Sequence, residues 1–211
     1  MKARTAALVA ALAAFGDAAA VDFGVMESAE PIEPRTLKLT GFPMLVDKSV
    51  HGDDALALSL GYGLPGDMDV EVQLAVIDRA TLLGADLEWN AWTAGSLRLS
   101  LGGGLHGADL DYGARAVGAD ATAILTYTPL ARLDLSAALD AAVDDVNVRE
   151  AAAPPPSGTH FTEDGRYDTY YFVPGVEYQL TRNLDLLAEV GVGLNGESDD
   201  YLSAGLSWYF R

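Results

Sequence analysis

The sequence predicts an all-β protein, an antiparallel up-and-down transmembrane β-barrel of ten strands. Three observations carry this. Past residue 35, apolar side chains recur with period two rather than 3.6. The alternating stretches run to about nine to thirteen residues, longer than the five or six usual in globular sheets and right for a tilted membrane strand. Their apolar face is Leu and Val with aromatics at its ends, and the opposite face mixes Gly, Ala and Ser with charges, which is the order of a barrel in lipid. A soluble sandwich alternates too; strand length and the small inward residues separate the two. Eight strands is the alternative count.

Residues 1–20 read as an export signal. Lys2 and Arg4 give a basic start, Thr5–Phe15 an Ala/Leu/Val core, and Ala18 and Ala20 the small residues of a cleavage site before Val21. Residues 21–35, with two prolines and four acids, read as a periplasmic N-terminal segment, with a plug in the barrel mouth as the alternative. The barrel is expected over 36–211.

Its strands are expected at 36–45, 55–63, 69–78, 84–92, 97–106, 119–128, 131–143, 167–180, 184–194 and 201–210. In 55–63, Leu56, Leu58, Leu60 and Tyr62 share one face, and Ala55, Ala57, Ser59 and Gly61 the other. In 70–76, Val70, Val72, Leu74 and Val76 alternate with Glu71, Gln73 and Ala75. The last strand sets Leu202, Ala204, Leu206, Trp208 and Phe210 against Ser203, Gly205, Ser207 and Tyr209. Connections at 64–68, 93–96, 129–130 and 181–183 are short, whereas those at 46–54, 107–118, 144–166 and 195–200 are longer. The linker 79–83 is a short member of the second set. Short turns on one side and long loops on the other place the short side in the periplasm.

One phrase recurs. Tyr62, Tyr127 and Tyr178 are each followed, after the same six-residue offset, by an apolar–acid–apolar triplet: Met68-Asp69-Val70, Leu133-Asp134-Leu135 and Leu184-Asp185-Leu186. This is the periplasmic hairpin. The descending strand ends in an interfacial aromatic from the belt Tyr62, Trp89, Trp92, Tyr127, Tyr178, Trp208 and Phe210. The ascending strand restarts with its charged residue facing inward. Leu37-Lys38-Leu39 and Leu97-Arg98-Leu99 complete five such starts, hence five hairpins and ten strands. The inward residues form a ring of Lys38, Asp69, Arg98, Asp134 and Asp185 in which opposite charges are expected to pair. On that reading Arg98→Leu costs on the order of 3 kcal/mol. Hydrated strand ends are the plainer account of the same charges.

This pattern resembles the small outer-membrane β-barrel proteins of Gram-negative bacteria, the OmpA-like and OmpX-like superfamily in its broad sense. The resemblance covers about 36–211 and is most specific in the C-terminal strand, "YLSAGLSWYFR". The family ends on an aromatic residue, whereas here Phe210 is penultimate and Arg211 last. The resemblance implies the cell outer membrane as location, lipid and lipopolysaccharide as surroundings, and the barrel assembly machinery as reader of the last strand. It does not imply a function, because one architecture hosts pores, adhesins, enzymes and passive anchors.

Composition narrows the chemistry. There is no Cys, which excludes disulfides and thiolate sites. The formal charge of −18 becomes −19 once Lys2, Arg4 and Asp17 leave with the signal, and such acidity argues against nucleic acid as a partner. His51, His106 and His160 fall on or beside expected extracellular loops that are also acidic, at Asp53, Asp54, Asp109, Asp111, Asp144, Asp145, Glu163, Asp164, Glu197, Asp199 and Asp200. None of their spacings matches a catalytic or metal motif, so no catalytic residue, metal ligand or cofactor is assigned. "LGGGL" (101–105) lies within a strand and is no phosphate loop, and "APPPSG" (153–158) reads as a loop tip. The expected lumen acids are Glu71, Asp86, Glu88, Asp140, Glu177 and Glu189. A passive structural or interaction barrel, monomeric and with a filled polar lumen, is the first functional reading. A narrow cation-preferring pore is the second, and an enzyme with a rim site a distant third.

Overall fold

The computed structural model describes residues 25, 27–46, 55–77, 80–110, 114–148 and 165–211. The expected signal (1–20), His51 and His160 lie outside them. Ten strands follow in order: β1 (Leu37–Val46), β2 (Ala55–Leu64), β3 (Met68–Ile77), β4 (Ala80–Ala94), β5 (Leu97–Leu110), β6 (Ala114–Leu130), β7 (Leu133–Val148), β8 (Gly165–Thr181), β9 (Leu184–Gly193) and β10 (Tyr201–Phe210). Each pairs antiparallel with its sequence neighbours, and β1 pairs with β10 to close the barrel. Closure leaves no unpaired edge, which is what allows a sheet to sit in hydrocarbon. The fold is therefore a closed, all-antiparallel, ten-stranded up-and-down barrel, and not the eight-stranded alternative.

Period two sets which face looks where. Along β2 and β10 burial alternates residue by residue, with Ala57 and Ser59 inward and Leu56, Leu58 and Leu60 outward. The outward face is a belt of exposed Leu and Val, and Tyr62, Trp89, Trp92, Tyr127, Tyr178, Trp208 and Phe210 are exposed on it. Exposed apolar area this extensive has no counterpart on a soluble monomer. Lipid is the solvent that makes it favourable.

One end of the barrel carries tight turns. Gly95 takes a left-handed φ of 63° beside Ser96, the Gly-X order of a two-residue hairpin. At the first turn Gly66 and Asp67 both have positive φ. The turns at 131–132 and 182–183 complete this end. Register shifts at Asn90/Trp92, Tyr127/Leu130 and Gln179/Thr181 mark bulges just before three of these hairpins, where the strand twist must be adjusted.

The opposite end departs from the sequence expectation. The loop expected at 107–118 is mostly strand: β5 continues to Leu110, β6 starts at Ala114, and His106 pairs in register with Gly118. Likewise β7 runs to Val148 and β8 starts at Gly165, inside the loop expected at 144–166. The reason is that His106, Ala108, Ala116, Asp144 and Val146 are inward positions in unbroken alternation. Their polarity reflects the lumen, not a loop.

The lumen is packed. Phe42, Met44, Leu82, Tyr171, Val173 and Tyr201 belong to an apolar cluster inside the barrel. Tyr171 and Tyr201 meet edge to face with ring centroids 5.7 Å apart. The N-terminal segment also enters. Ser28, Ala29 and Ile32 are buried, and a turn closed by Thr36 N–H donating to Glu33 O (3.0 Å) leads into β1. Arg35 takes a left-handed φ of 71° in that turn, held by its N–H donating to Gly63 O at 2.9 Å.

Candidate functional site in the barrel lumen

The site begins with the N-terminal segment and the walls that grip it. Ala29, fully buried, donates its N–H to Thr126 Oγ1 (2.8 Å). Its carbonyl accepts from Asn90 Nδ2 (2.9 Å) and Ser100 Oγ (3.3 Å). Ile32 N–H donates to Asp69 Oδ2 at 2.8 Å. Four different strands thus satisfy backbone groups that would otherwise be stranded in the barrel. Gly61 and Gly63 make room: a Cβ on Gly61 would overlap the Ile32 side chain, and one on Gly63 the carbonyls of Ile32 and Glu33.

Around this segment lies a dense charge layer. Lys38 is buried and bridges Glu71 Oε1 at 2.8 Å and Glu27 Oε1 at 3.5 Å. Glu71 also accepts a hydrogen bond from Ser59. Arg98, at the wetter end, pairs with Glu30 Oε2 at 3.0 Å and reaches Thr128 Oγ1 at 3.5 Å. Arg211 bridges Glu33 at 3.4 Å. The ion pairs of Lys38 and Arg98 run to Glu27, Glu30 and Glu71, where the sequence pattern points to Asp69, Asp134 and Asp185. Asp69 and Asp185 are buried, and Asp134 and Asp185 each hold a buried oxygen without a hydrogen bond. Glu177 lies against Ser28 and Asp185. Glu27, on the N-terminal segment, has its carboxyl pushed well above the usual range, first by burial and then by the charge of Glu71.

A second polar layer lies toward the long-loop end. His106 sits between two carboxylates, with Nδ1 3.1 Å from Asp120 Oδ2 and Nε2 2.8 Å from Asp144 Oδ1. Gln73 Nε2 donates to Asp86 Oδ2 at 2.9 Å, and Thr122 bonds Asp140. Tyr201 OH donates to Glu189 Oε1 at 3.1 Å. Between the layers is a small cavity of about 60 Å³, walled by Glu27, Asp86, Glu88, His106, Asp120 and Asp140 among others. It is strongly acidic and far smaller than the 300–1,000 Å³ of a small-molecule site.

Sequence reasoning did not reach Glu27, Glu30, Asp120 and the inward role of His106. For His106 a signal existed, because 98, 100, 102, 104 and 106 continue one inward phase. For the segment acids none did, since their partners are set by threading rather than by spacing.

The architecture defines a class, the membrane-type antiparallel β-barrel with a polar interior. No family model matches the chain, and no curated protein sequence does. Among solved structures it resembles an outer membrane channel from Pseudomonas putida, at 12% identity and TM-score 0.57, over 90% of this chain and 100% of that one. The KdgM porin aligns at 8% identity and TM-score 0.48, over 82% of this chain and 99% of that one. The N-terminal barrel domain of Pseudomonas aeruginosa OprF aligns at 15% identity and TM-score 0.39, over 85% and 100%. These neighbours are outer-membrane β-barrel proteins. At such identities the likeness is one of fold.

Proposed function

We propose that the chain is an outer-membrane β-barrel of structural or interaction type, whose polar lumen is closed by its own side chains and N-terminal segment. The observation that carries this is the seating of Ser28, Ala29 and Ile32 inside the barrel, with Ala29 fully buried and bonded to β4, β5 and β6. An aqueous channel needs continuous space, and here, among the described residues, the lumen holds an apolar cluster, a charge layer and a small cavity between. The tight-turn end faces the periplasm on this reading, and the longer connections face outward. Lipid and lipopolysaccharide surround the Leu/Val belt, and the C-terminal strand presents its alternating aromatics to the assembly machinery. That strand is also what supports the narrower likeness to the OmpA-like and OmpX-like barrels. No catalytic role is assigned.

Single-channel recording of the refolded protein in a planar bilayer tests the reading. Closure predicts no steps above background. Regular steps, of whatever ion selectivity, would refute it, and cation-selective ones would favour the narrow pore instead.

A further inference from the structure

Three carboxylates from different parts of the chain converge at the base of the lumen. Glu27 comes from the N-terminal segment, Asp69 from the start of β3 and Glu88 from β4, and one oxygen of each lies within 4.8 Å of the others. An acidic cluster alone can be a set of shared protons. Here a second feature points to a ligand: Glu88 is 5% exposed and, although its side chain hydrogen-bonds Glu27, its Oε1 has no hydrogen-bond partner. Burying an acceptor oxygen without a partner is costly, and a cation at this point would satisfy it. The neighbouring base, Lys38, makes its shortest contact with Glu71 (2.8 Å) and reaches Glu27 only at 3.5 Å.

We propose that Glu27, Asp69 and Glu88 bind one divalent cation, with calcium as the preferred occupant. Calcium takes oxygen ligands at 2.3–2.6 Å, and three carboxylate oxygens within 4.8 Å of one another can close on one ion by small side-chain adjustments. Calcium also needs six to eight oxygens. The cavity of about 60 Å³ that Glu27 and Glu88 help to wall has room for several waters to complete the shell. The oxygen-only donor set disfavours zinc and copper. The ion fastens the N-terminal segment to β3 and β4, adding a charged clasp to the hydrogen bonds at Ala29 and Ile32. The site holds whether or not the lumen conducts, so the two are tested separately.

The test is calorimetric titration of CaCl₂ into full-length, refolded protein that has been stripped with EDTA in detergent. Saturable binding of one ion per chain is expected, accompanied by a higher unfolding midpoint. Glu88→Gln and Asp69→Asn should each weaken binding at least tenfold and remove the midpoint shift, while Asp109→Asn, on the exposed rim, leaves both unchanged. Glu27→Gln keeps every strand residue intact and serves if either wall variant loses heat-modifiable migration; it too should weaken binding tenfold. No saturable calcium binding by the wild type would overturn the proposal, and so would wild-type affinity in Glu27→Gln. Either result would leave the three carboxylates as groups that share protons.

Discussion

Replacing Lys38 by Met should be the most damaging single charge change in the barrel. Lys38 and Glu71 are only 6% and 4% exposed, and the ammonium also reaches Glu27. Removing the cation leaves two carboxylates facing each other in a poorly hydrated lumen, and breaking such a buried pair costs about 3–5 kcal/mol. Arg98 is the contrast. Its side chain is 26% exposed and that of its partner Glu30 57% exposed, so the pair is solvated and its loss in Arg98→Leu should cost about 0–1 kcal/mol, less than the sequence alone suggested. The assay is urea unfolding of refolded protein in detergent with EDTA present, followed by tryptophan fluorescence. Lys38→Met combined with Glu71→Leu should recover part of the loss, because removing both partners costs less than orphaning one. A Lys38→Met protein within about 1 kcal/mol of wild type, or an Arg98→Leu protein as damaged as Lys38→Met, would show that water reaches Lys38 freely and refute the reasoning.

Further outcomes follow from other parts of the molecule. Gly63→Val places side-chain atoms on the carbonyls of Ile32 and Glu33, so the N-terminal segment should shift at a cost of about 1–3 kcal/mol. Limited proteolysis should then cut within residues 27–36 while the barrel stays resistant. His106→Leu strips the base from between Asp120 and Asp144, the latter 1% exposed, and should lower stability by about 3 kcal/mol, read from the same unfolding curves. Leu206→Arg, at the middle of β10 on the lipid face, should cost about 2–4 kcal/mol in bilayers. If that variant were neutral, the face would not be in hydrocarbon.

The strands were legible because their signal is local. Alternation along Leu56–Tyr62 or Leu202–Phe210 is decided by which side of a single pleat meets lipid, and that is written residue by residue. The loop boundaries were less legible at 107–118 and 144–166. There polarity suggests exposure, whereas in a barrel with a wet interior an inward residue is also polar. Phase would have been the better guide: His106 and Asp144 keep the inward parity of their strands. The contents of the lumen were not legible in this way. Ala29 and Thr126 are 97 positions apart and bond through a backbone N–H, which carries no side-chain signature.

The small inward residues show how one sequence feature can support two opposite readings. Gly61, Gly63, Ser100 and Thr126 suggest vacant space if the wall is considered alone, and vacant space in ten strands suggests a pore. In the folded chain these positions are the seat of the N-terminal segment. Gly61 and Gly63 admit Ile32 and the backbone at 32–33, and Ser100 and Thr126 hydrogen-bond Ala29. The gap is therefore shaped to a peptide rather than to water. The same logic applies to charge: the wall acids Asp69, Glu71 and Glu88 are too many for Lys38 alone, and the segment adds Glu27 to them instead of a base. Bringing a further carboxyl group into a buried acidic cluster makes physical sense when a cation joins it there, because the cation supplies the charge that Lys38 alone does not.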